Sequence, residues 1–293
     1  MFAGSTVALV TPMSGDGSID YGDLARLIDF HADAGTEALV IAGTTGESAT
    51  LTKDEHIELI AKSCELAGER IPIIAGTGSN STAQTLEMSN AVDGLPVIGC
   101  LMVTPYYNKP TQEGLYRHYS TIADAVQHPV VLYNVPGRTG VDLSTETTIR
   151  LSGHGNIAAI KDATADLDRV VVLREGCGPD FVLLSGDDGT SSEFMLRGGD
   201  GCISVTANVA PAKMRALCDA ARAGDRERAT DIDDGLRALH DALFLESNPI
   251  PVKWAVEQLG LAGPGIRLPL TRLDDRYHGA VRDAMQTAQA EAA

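Results

Sequence analysis

The chain has 293 residues, enough for two ordinary domains or for one large barrel with an appendage. Its 40 acidic and 23 basic residues give a net charge of −17, which repels nucleic acid backbones and anionic membranes. We therefore expect neither nucleic acid nor a membrane as a partner, whereas a small anionic substrate is compatible with this charge because one local cation outweighs the overall field at contact distance.

Cysteine and histidine spacing argues against disulfides and metal sites. The five cysteines are odd in number and widely spaced, without a CxxC pair, as is typical of a reducing compartment. The histidines follow no HxH or HExxH spacing, so we expect no metal site. The N-terminus has no basic region followed by a long apolar one, and the run STVALVTP is too short to span a membrane. We expect a cytoplasmic protein.

Short apolar runs recur at regular intervals along the chain. They are continuous rather than alternating, as is typical of parallel strands buried on both faces. Eight runs begin at Thr6, Ala38, Pro72, Gly99, Val130, Ile157, Phe181 and Gly201.

The segments between these runs carry signals of helix starts. Thr52 with Glu55 and Ser81 with Gln84 fit capping boxes, and Pro211 suits a first helical position. Eight alternating strands and helices close into a parallel barrel more readily than they extend as an open sheet. The sequence therefore predicts an α/β protein with a (β/α)8 TIM barrel.

The remainder of the chain predicts a helical appendage. Three segments with helical patterns follow the eighth strand and helix and are interrupted by prolines: DRERATDIDDGLRALHDALF, NPIPVKWAVEQLG and LTRLDDRYHGAVRDAMQ. We predict a barrel domain over residues 1–224 and a C-terminal three-helix domain over residues 225–293 that packs on the barrel.

Polar residues collect where the predicted strands end, which is where barrel enzymes place their catalytic groups. The segments are GTTGE (43–47), TPYYNKP (104–110), YNVPGRTG (133–140), Lys161 at the end of IAAIK, and SGDD (185–188). The sequence predicts that their side chains converge at one mouth of the barrel.

Lys161 is the candidate nucleophile of this mouth. An unprotonated lysine amine attacks a carbonyl carbon to form a Schiff base, whose iminium makes the adjacent carbon acidic. Such chemistry needs proton transfer, for which Tyr133, Tyr107 and the hydroxyls of Thr44 and Thr45 are suitable groups. The simpler alternatives are an ion pair between Lys161 and its neighbour Asp162, tyrosines that pack at the rim, and a GTTGE segment that is merely a turn.

Two further motifs contain residues that suit ligand binding. Arg138, the arginine of the mouth motifs, suits bidentate binding of a carboxylate, although an arginine in such a turn is usually solvated. The stretch GTGSNS (76–81) lacks the third glycine of a dinucleotide fingerprint, and Asp93 lies before the next strand rather than at its end. Asp187 and Asp188 also disfavour a phosphate site after strands seven and eight.

Taken in this order, these motifs resemble the pyruvate-dependent class I aldolase (N-acetylneuraminate lyase) superfamily and, within it, most closely the dihydrodipicolinate synthase family. The likeness runs from GSTVALVTPM to NPIPVKWAVEQLG and includes GTTGES, TPYYNKP, YNVPGRTG and IKDAT. The resemblance implies a lyase that condenses pyruvate with L-aspartate 4-semialdehyde in lysine and diaminopimelate biosynthesis, without a cofactor other than the covalent Schiff base.

The resemblance also implies roles for individual residues. Lys161 forms the Schiff base with pyruvate, while Tyr133, Thr44 and Tyr107 make a proton relay. Substrates are held by a second set: Thr45 binds the carboxylate of pyruvate, Arg138 binds the carboxylate of the aldehyde, and Gly186 and Ile203 line the pocket. In the family the tyrosine that matches Tyr107 comes from a neighbouring subunit, which implies a homotetramer built as a dimer of dimers.

Two alternative functions stay open at this point. Lys161 and Tyr133 are shared with lyases and aldolases that act on sialic acid or 2-keto-3-deoxy sugar acids, although Arg138 in PGRTG favours a substrate with a short carboxylate. A barrel without catalytic activity that serves only to bind a partner would predict loss of the mouth residues, and none is visible.

Lysine-inhibited members of the family bind lysine at a dimer interface. The chain matches that site or departs from it at the following positions: Ser48, Ala49, Lys53, His56, Asn80, Gln84 and Tyr106. The departures are Lys53, often histidine, and Gln84, often glutamate. A gained cation and a lost carboxylate both weaken binding of a cationic ligand, so we expect lysine to inhibit weakly or not at all. Alternatively, Gln84 merely serves its capping box.

Overall fold

The computed structural model describes residues 2–289 and has at its centre a closed barrel of eight strands. Every neighbouring pair is parallel, and β8 pairs with β1 to close the barrel. The strands are Gly4–Ala8 (β1), Ala38–Ile41 (β2), Ile73–Gly76 (β3), Val97–Val103 (β4), Val130–Asn134 (β5), Ile157–Asp162 (β6), Val182–Ser185 (β7) and Gly201–Ser204 (β8). The predicted TIM barrel is confirmed.

Helices follow the strands around the barrel. Those of the barrel are Tyr21–Asp33 (α1), Lys53–Ala67 (α2), Thr82–Ala91 (α3), Gln112–Ala125 (α4), Pro136–Thr139 (α5), Thr145–Ser152 (α6), Asp168–Cys177 (α7), Ser191–Leu196 (α8) and Pro211–Arg222 (α9). Short 3-10 turns occupy Ser48–Thr50, Asp188–Thr190 and Thr206–Asn208. No helix within residues 2–289 is both long and apolar enough to cross a bilayer.

Two apolar clusters explain why the strands read as continuous hydrophobic runs. Successive side chains of a strand point to opposite faces, so each strand fills two cores. On β5, Val131 and Tyr133 face the barrel interior, whereas Val130 and Leu132 belong to the larger core between strands and helices. The same alternation places Lys161 on the interior face of β6.

The C-terminal part of the chain forms the predicted helical appendage. Its helices are Arg226–Ala242 (α10), Ile250–Gln258 (α11) and Asp275–Thr287 (α12), and α10 packs against both α9 and α12. The division of the chain into domains at residue 224 stays a prediction.

Local signals were right at two helix starts and wrong at two other places. Thr52 and Glu55 form a complete capping box, and Pro211 opens α9. The second predicted box is only half present: Ser81 accepts from the backbone N–H of Gln84, but the side chain of Gln84 accepts from the Ser79 hydroxyl instead. Arg138 was expected in a turn and lies in the one-turn helix α5, which Pro136 begins.

Candidate active site

Lys161 lies at the carboxyl end of β6 with its side chain inside the barrel. The residue is 5% exposed, and its Nζ sits 4.4 Å from the centre of the Tyr133 ring on the adjacent strand. Within residues 2–289 no carboxylate lies within 4.0 Å of this amine. A buried lysine that lacks an anionic partner is an unusual and costly arrangement, and such groups concentrate at functional sites.

The alternative of a structural ion pair with Asp162 is wrong, because adjacent strand residues point to opposite faces. Asp162 points outward to the helix layer, where its Oδ2 accepts from Arg169 Nε at 3.1 Å. Its Oδ1 accepts from the backbone N–H of Thr164 at 2.9 Å and from the Thr164 hydroxyl at 2.5 Å. The carboxylate next to Lys161 is thus fully engaged on the other side of the sheet.

Gly186 and Ile203, both predicted to line the pocket, lie on the neighbouring strands β7 and β8 or directly after them. A Cβ at Gly186 would approach Lys161 Cε to 2.9 Å and Ala163 Cβ to 2.8 Å, so a glycine alone fits beside the lysine. Ile203 is buried in the interior cluster that also contains Tyr133.

The GTTGE segment after β2 presents Thr44 and Thr45 at the mouth. Thr45 is buried, and its Oγ1 accepts a hydrogen bond of 3.0 Å from Nδ2 of Asn248. Arg138 donates from its guanidinium to the carbonyl of the same Asn248 at 3.1 Å. Asn248 therefore connects the two residues for which the family resemblance implies binding of the substrate carboxylates.

Tyr107 lies on an exposed loop apart from the other candidate relay residues. It is 88% exposed, its backbone has a φ of 74°, and its N–H donates to the carbonyl of Thr139 at 3.2 Å. Within residues 2–289 no hydrogen bond joins the hydroxyls of Thr44, Tyr107 and Tyr133. A single chain does not assemble the predicted relay.

A cavity of about 580 Å³ opens beside the mouth. Most of the residues predicted to bind lysine line it: Ser48, Ala49, Lys53, His56, Gln84 and Tyr106. Asn80 instead donates from Nδ2 to the carbonyl of Tyr106 at 3.1 Å. Thr44 and Arg138 also line the cavity, so it borders the candidate active site.

The sequence predicts an additional positive charge at Lys53, but in the structure an acidic side chain pairs with this lysine. Lys53 forms an ion pair with Glu87, a lining carboxylate that the sequence analysis did not identify. His56 is buried and its Nε2 lies 2.6 Å from the carbonyl of Gly76. Burial lowers the pKa of His56, and the contact with Gly76 partly opposes that shift.

Two further observations concern metal ions and phosphate. Among residues 2–289 no group of three histidine, cysteine or acidic side chains is arranged to hold a metal ion. After β8, Asp188 Oδ2 accepts from the backbone N–H groups of Val205 and Thr206 at 2.9 and 2.8 Å. A carboxylate of the chain itself thereby occupies these two donors.

Sequence reasoning gave no role to Glu47, Asn248 or Lys253, although their contacts hold the candidate site. Asn248 contacts Thr45, and Lys253 forms a buried ion pair with Glu47 at the end of GTTGE. The signals that existed were the acidic residue in GTTGE and the NPIPVK stretch, both quoted for the resemblance but given no role.

Comparison with known proteins agrees with this arrangement. The profile of the dihydrodipicolinate synthetase family matches residues 1–288. The 4-hydroxy-tetrahydrodipicolinate synthase of Thioalkalivibrio sulfidiphilus is 56% identical over 288 residues, which cover 98% of either chain.

Two solved structures extend this comparison. The dihydrodipicolinate synthase of Acinetobacter baumannii, solved in complex with pyruvate, is 50% identical and superposes with a TM-score of 0.97, covering 99% of this chain and 100% of the other. The enzyme of Cyanidioschyzon merolae, solved with lysine bound, is 39% identical with a TM-score of 0.95, and 98% of each chain is covered.

Proposed function

This chain belongs to the dihydrodipicolinate synthetase family, and on that premise we propose that its reaction proceeds through a Schiff base between pyruvate and Lys161. The chain is a lyase that condenses pyruvate with L-aspartate 4-semialdehyde to 4-hydroxy-tetrahydrodipicolinate, in the biosynthesis of diaminopimelate and lysine. The alternative of a sugar-acid aldolase is set aside, because relatives at this level of identity are named as synthases.

The isolation of Lys161 carries the proposal. The amine attacks the keto carbon of pyruvate, and loss of water leaves an iminium. Loss of a proton from the methyl group then gives an enamine, whose carbon attacks the aldehyde carbon of the second substrate. The amino group of that substrate then attacks the regenerated iminium carbon, which closes the ring and releases the amine of Lys161. Because the iminium itself accepts the electron pair, the step needs neither a metal nor an organic cofactor. The absence of a nearby carboxylate supports this role, since no ion pair has to be broken before the amine attacks.

Tyr133, Thr44 and Tyr107 are proposed to carry protons during these steps. Tyr133 is next to the amine, and Thr44 lines the adjoining cavity. Tyr107 is exposed in one chain, which supports a relay completed by the Tyr107 of a second copy. We propose a homotetramer made of two dimers as the assembly, because the family resemblance implies it. We further propose a cytoplasmic location, which the five free cysteines support.

Thr45 and Arg138 are proposed to hold the carboxylates of pyruvate and of the aldehyde, with Gly186 and Ile203 as walls of the pocket. A hydroxyl and a guanidinium are both strong donors for carboxylate oxygens. Both residues are hydrogen-bonded to Asn248, which supports a fixed position of each carboxylate-binding group relative to the other.

Trapping with sodium borohydride tests the proposal. The protein is incubated with pyruvate and borohydride, its intact mass is recorded, and the modified peptide is mapped. We expect one reduced pyruvate for each chain, on Lys161. The variant Lys161→Arg keeps the charge but forms no Schiff base, so it should gain no mass. Absence of an adduct in the folded wild-type protein, while a known aldolase is labelled in parallel, would refute the mechanism.

A further inference from the structure

Glu47 closes the segment that carries Thr44 and Thr45. Its backbone adopts the left-handed region with a φ of 57°, which a residue other than glycine rarely adopts. Its N–H donates to the carbonyl of Thr44 at 3.1 Å, and its side chain is buried. Because Glu47 follows Thr45 by only two residues and is hydrogen-bonded to Thr44, a shift of Glu47 also shifts the two threonines.

Both carboxylate oxygens of Glu47 are bound by the C-terminal part of the chain. Oε1 accepts from Nζ of Lys253 on α11, which is 7% exposed. Oε2 accepts from the backbone N–H of Arg267 at 3.0 Å. Burial lowers the pKa of Lys253, and the adjacent carboxylate of Glu47 opposes that shift. Each charge of this pair makes the burial of the other tolerable.

A buried ion pair is a weak source of stability, because desolvation of both charges offsets most of their attraction. Such a pair is better explained by a role in holding two segments of the chain in one relative position. Here the same C-terminal stretch also donates from Asn248 Nδ2 to Thr45 Oγ1 at 3.0 Å. Since the amide supplies that hydrogen, the Thr45 hydroxyl keeps its own proton free to donate to a carboxylate.

We propose that Glu47 and Lys253 are positioning residues, which hold the GTTGE segment so that the Thr45 hydroxyl meets the carboxylate of pyruvate. The inference rests on the proposed role of Thr45. Glu47 and Lys253 touch no substrate in this scheme, and they act through the loop. Loss of the pair therefore weakens binding of pyruvate and leaves binding of the aldehyde, whose carboxylate is assigned to Arg138, nearly unchanged.

Steady-state kinetics of Lys253→Met and of the double variant Glu47→Gln/Lys253→Met test the inference. The single variant leaves a buried carboxylate without its cation, whereas the double variant removes both charges and keeps the volume, so it folds even if the single variant does not. In both we expect the KM for pyruvate to rise about tenfold, because a hydrogen bond to a charged group is misaligned. The KM for the aldehyde should stay within about twofold of the wild type.

Three controls separate the possible failures. Lys253→Arg keeps the charge and should recover most of the affinity for pyruvate. Arg174→Met breaks the ion pair with Asp200 at the opposite end of the barrel, so it should lower the melting temperature without changing the KM for pyruvate. Thr45→Val measures the role of Thr45 itself.

The outcomes discriminate as follows. A normal KM for pyruvate in Thr45→Val would overturn the assignment of Thr45 and the inference with it. A raised KM in Thr45→Val together with a wild-type KM in the folded double variant would overturn the positioning role alone. Borohydride trapping of the wild type reports separately on the Schiff base.

Discussion

Gly186 lies so close to the side chain of Lys161 that any residue with a Cβ atom would clash with it. An added Cβ would lie 2.9 Å from Lys161 Cε and 3.0 Å from its Cγ, and the methyl of Ala163 blocks retreat on the other side at 2.8 Å. Of these neighbours, the lysine side chain is the flexible one. A methyl group at position 186 would therefore be accommodated by displacement of the amine.

We expect Gly186→Ala to lower kcat by about 10- to 100-fold, because a reacting group displaced by a fraction of an ångström loses much of its catalytic advantage. Overpacking should also cost about 1–3 kcal/mol of folding free energy. The measurements are the steady-state kcat at saturating concentrations of both substrates and the midpoint of urea unfolding.

Gly235→Ala is the matched control for this substitution. Gly235 lies within α10, and an added Cβ there meets no atom within 4 Å. Alanine in a helix is preferred to glycine, so this variant should be slightly more stable and fully active. Wild-type rates in Gly186→Ala would show that the close contact has no bearing on the placement of Lys161.

At the scale of elements, side chains from α2 and α3 determine the charge of the cavity beside the active site. Lys53 from the first turn of α2 pairs with Glu87 of α3, and both side chains are about half exposed. Gln84 of α3 accepts from the Ser79 hydroxyl at 2.8 Å. A lysine ligand entering this cavity finds one carboxylate already paired and an amide at the other position.

From these contacts we expect free lysine to inhibit the protein weakly, and we expect the double variant Lys53→His/Gln84→Glu to be inhibited far more strongly. Restoring the carboxylate and freeing Glu87 should each contribute about 1 kcal/mol, discounted for the exposure of Lys53. The lysine concentration for half inhibition should fall about 10- to 30-fold. It is measured by titrating lysine at fixed substrate concentrations.

Lys62→His on the outer part of α2 serves as the control, since Lys62 pairs with Glu65 on the surface and does not line the cavity. It should leave the response to lysine unchanged. Strong inhibition of the wild-type protein at low lysine concentration would contradict the interpretation of both substituted positions.

The elements also show where prediction from the sequence succeeds. The strands were predictable because each is a continuous apolar run in the sequence. The cap at Thr52 was predictable because its partner Glu55 is only three residues away. The contact of Asn248 with Thr45 spans 203 positions, and that of Lys253 with Glu47 spans 206. Such contacts depend on how α11 packs on the barrel, which no local pattern encodes.

At the scale of the whole molecule, the position of Tyr107 is the unusual feature. The residue is 88% exposed, and its hydroxyl is not bonded to Thr44 or Tyr133 within the described residues. An aromatic side chain exposed to this degree on a loop is available for contact with a second copy of the chain, and tyrosines are enriched among the residues that contribute most to such interfaces. The proposed dimer would place this tyrosine in the active site of its neighbour.

Mixing two inactive variants tests this arrangement. Lys161→Ala lacks the nucleophile but presents a normal Tyr107, whereas Tyr107→Phe lacks the hydroxyl but has a normal lysine. If the tyrosine acts across the interface, a mixed dimer has one complete site of two. Random re-pairing of equal amounts should therefore restore about a quarter of wild-type activity, measured as synthase rate after the mixture is dissociated and reassembled.

The control pairs Lys161→Ala with Thr44→Val, because Thr44 is assigned to the same chain as Lys161 and no mixed dimer then contains a complete site. Activity restored with Tyr107→Phe but not with Thr44→Val would establish that the tyrosine is exchanged between subunits while the threonine is not. Equal recovery in both mixtures would mean that Thr44 also acts across the interface. No recovery in either mixture, although mixed oligomers form, would mean that each chain completes its own relay. In that case the exposed loop would have to fold inward when substrate binds, and the oligomer would be dispensable for catalysis.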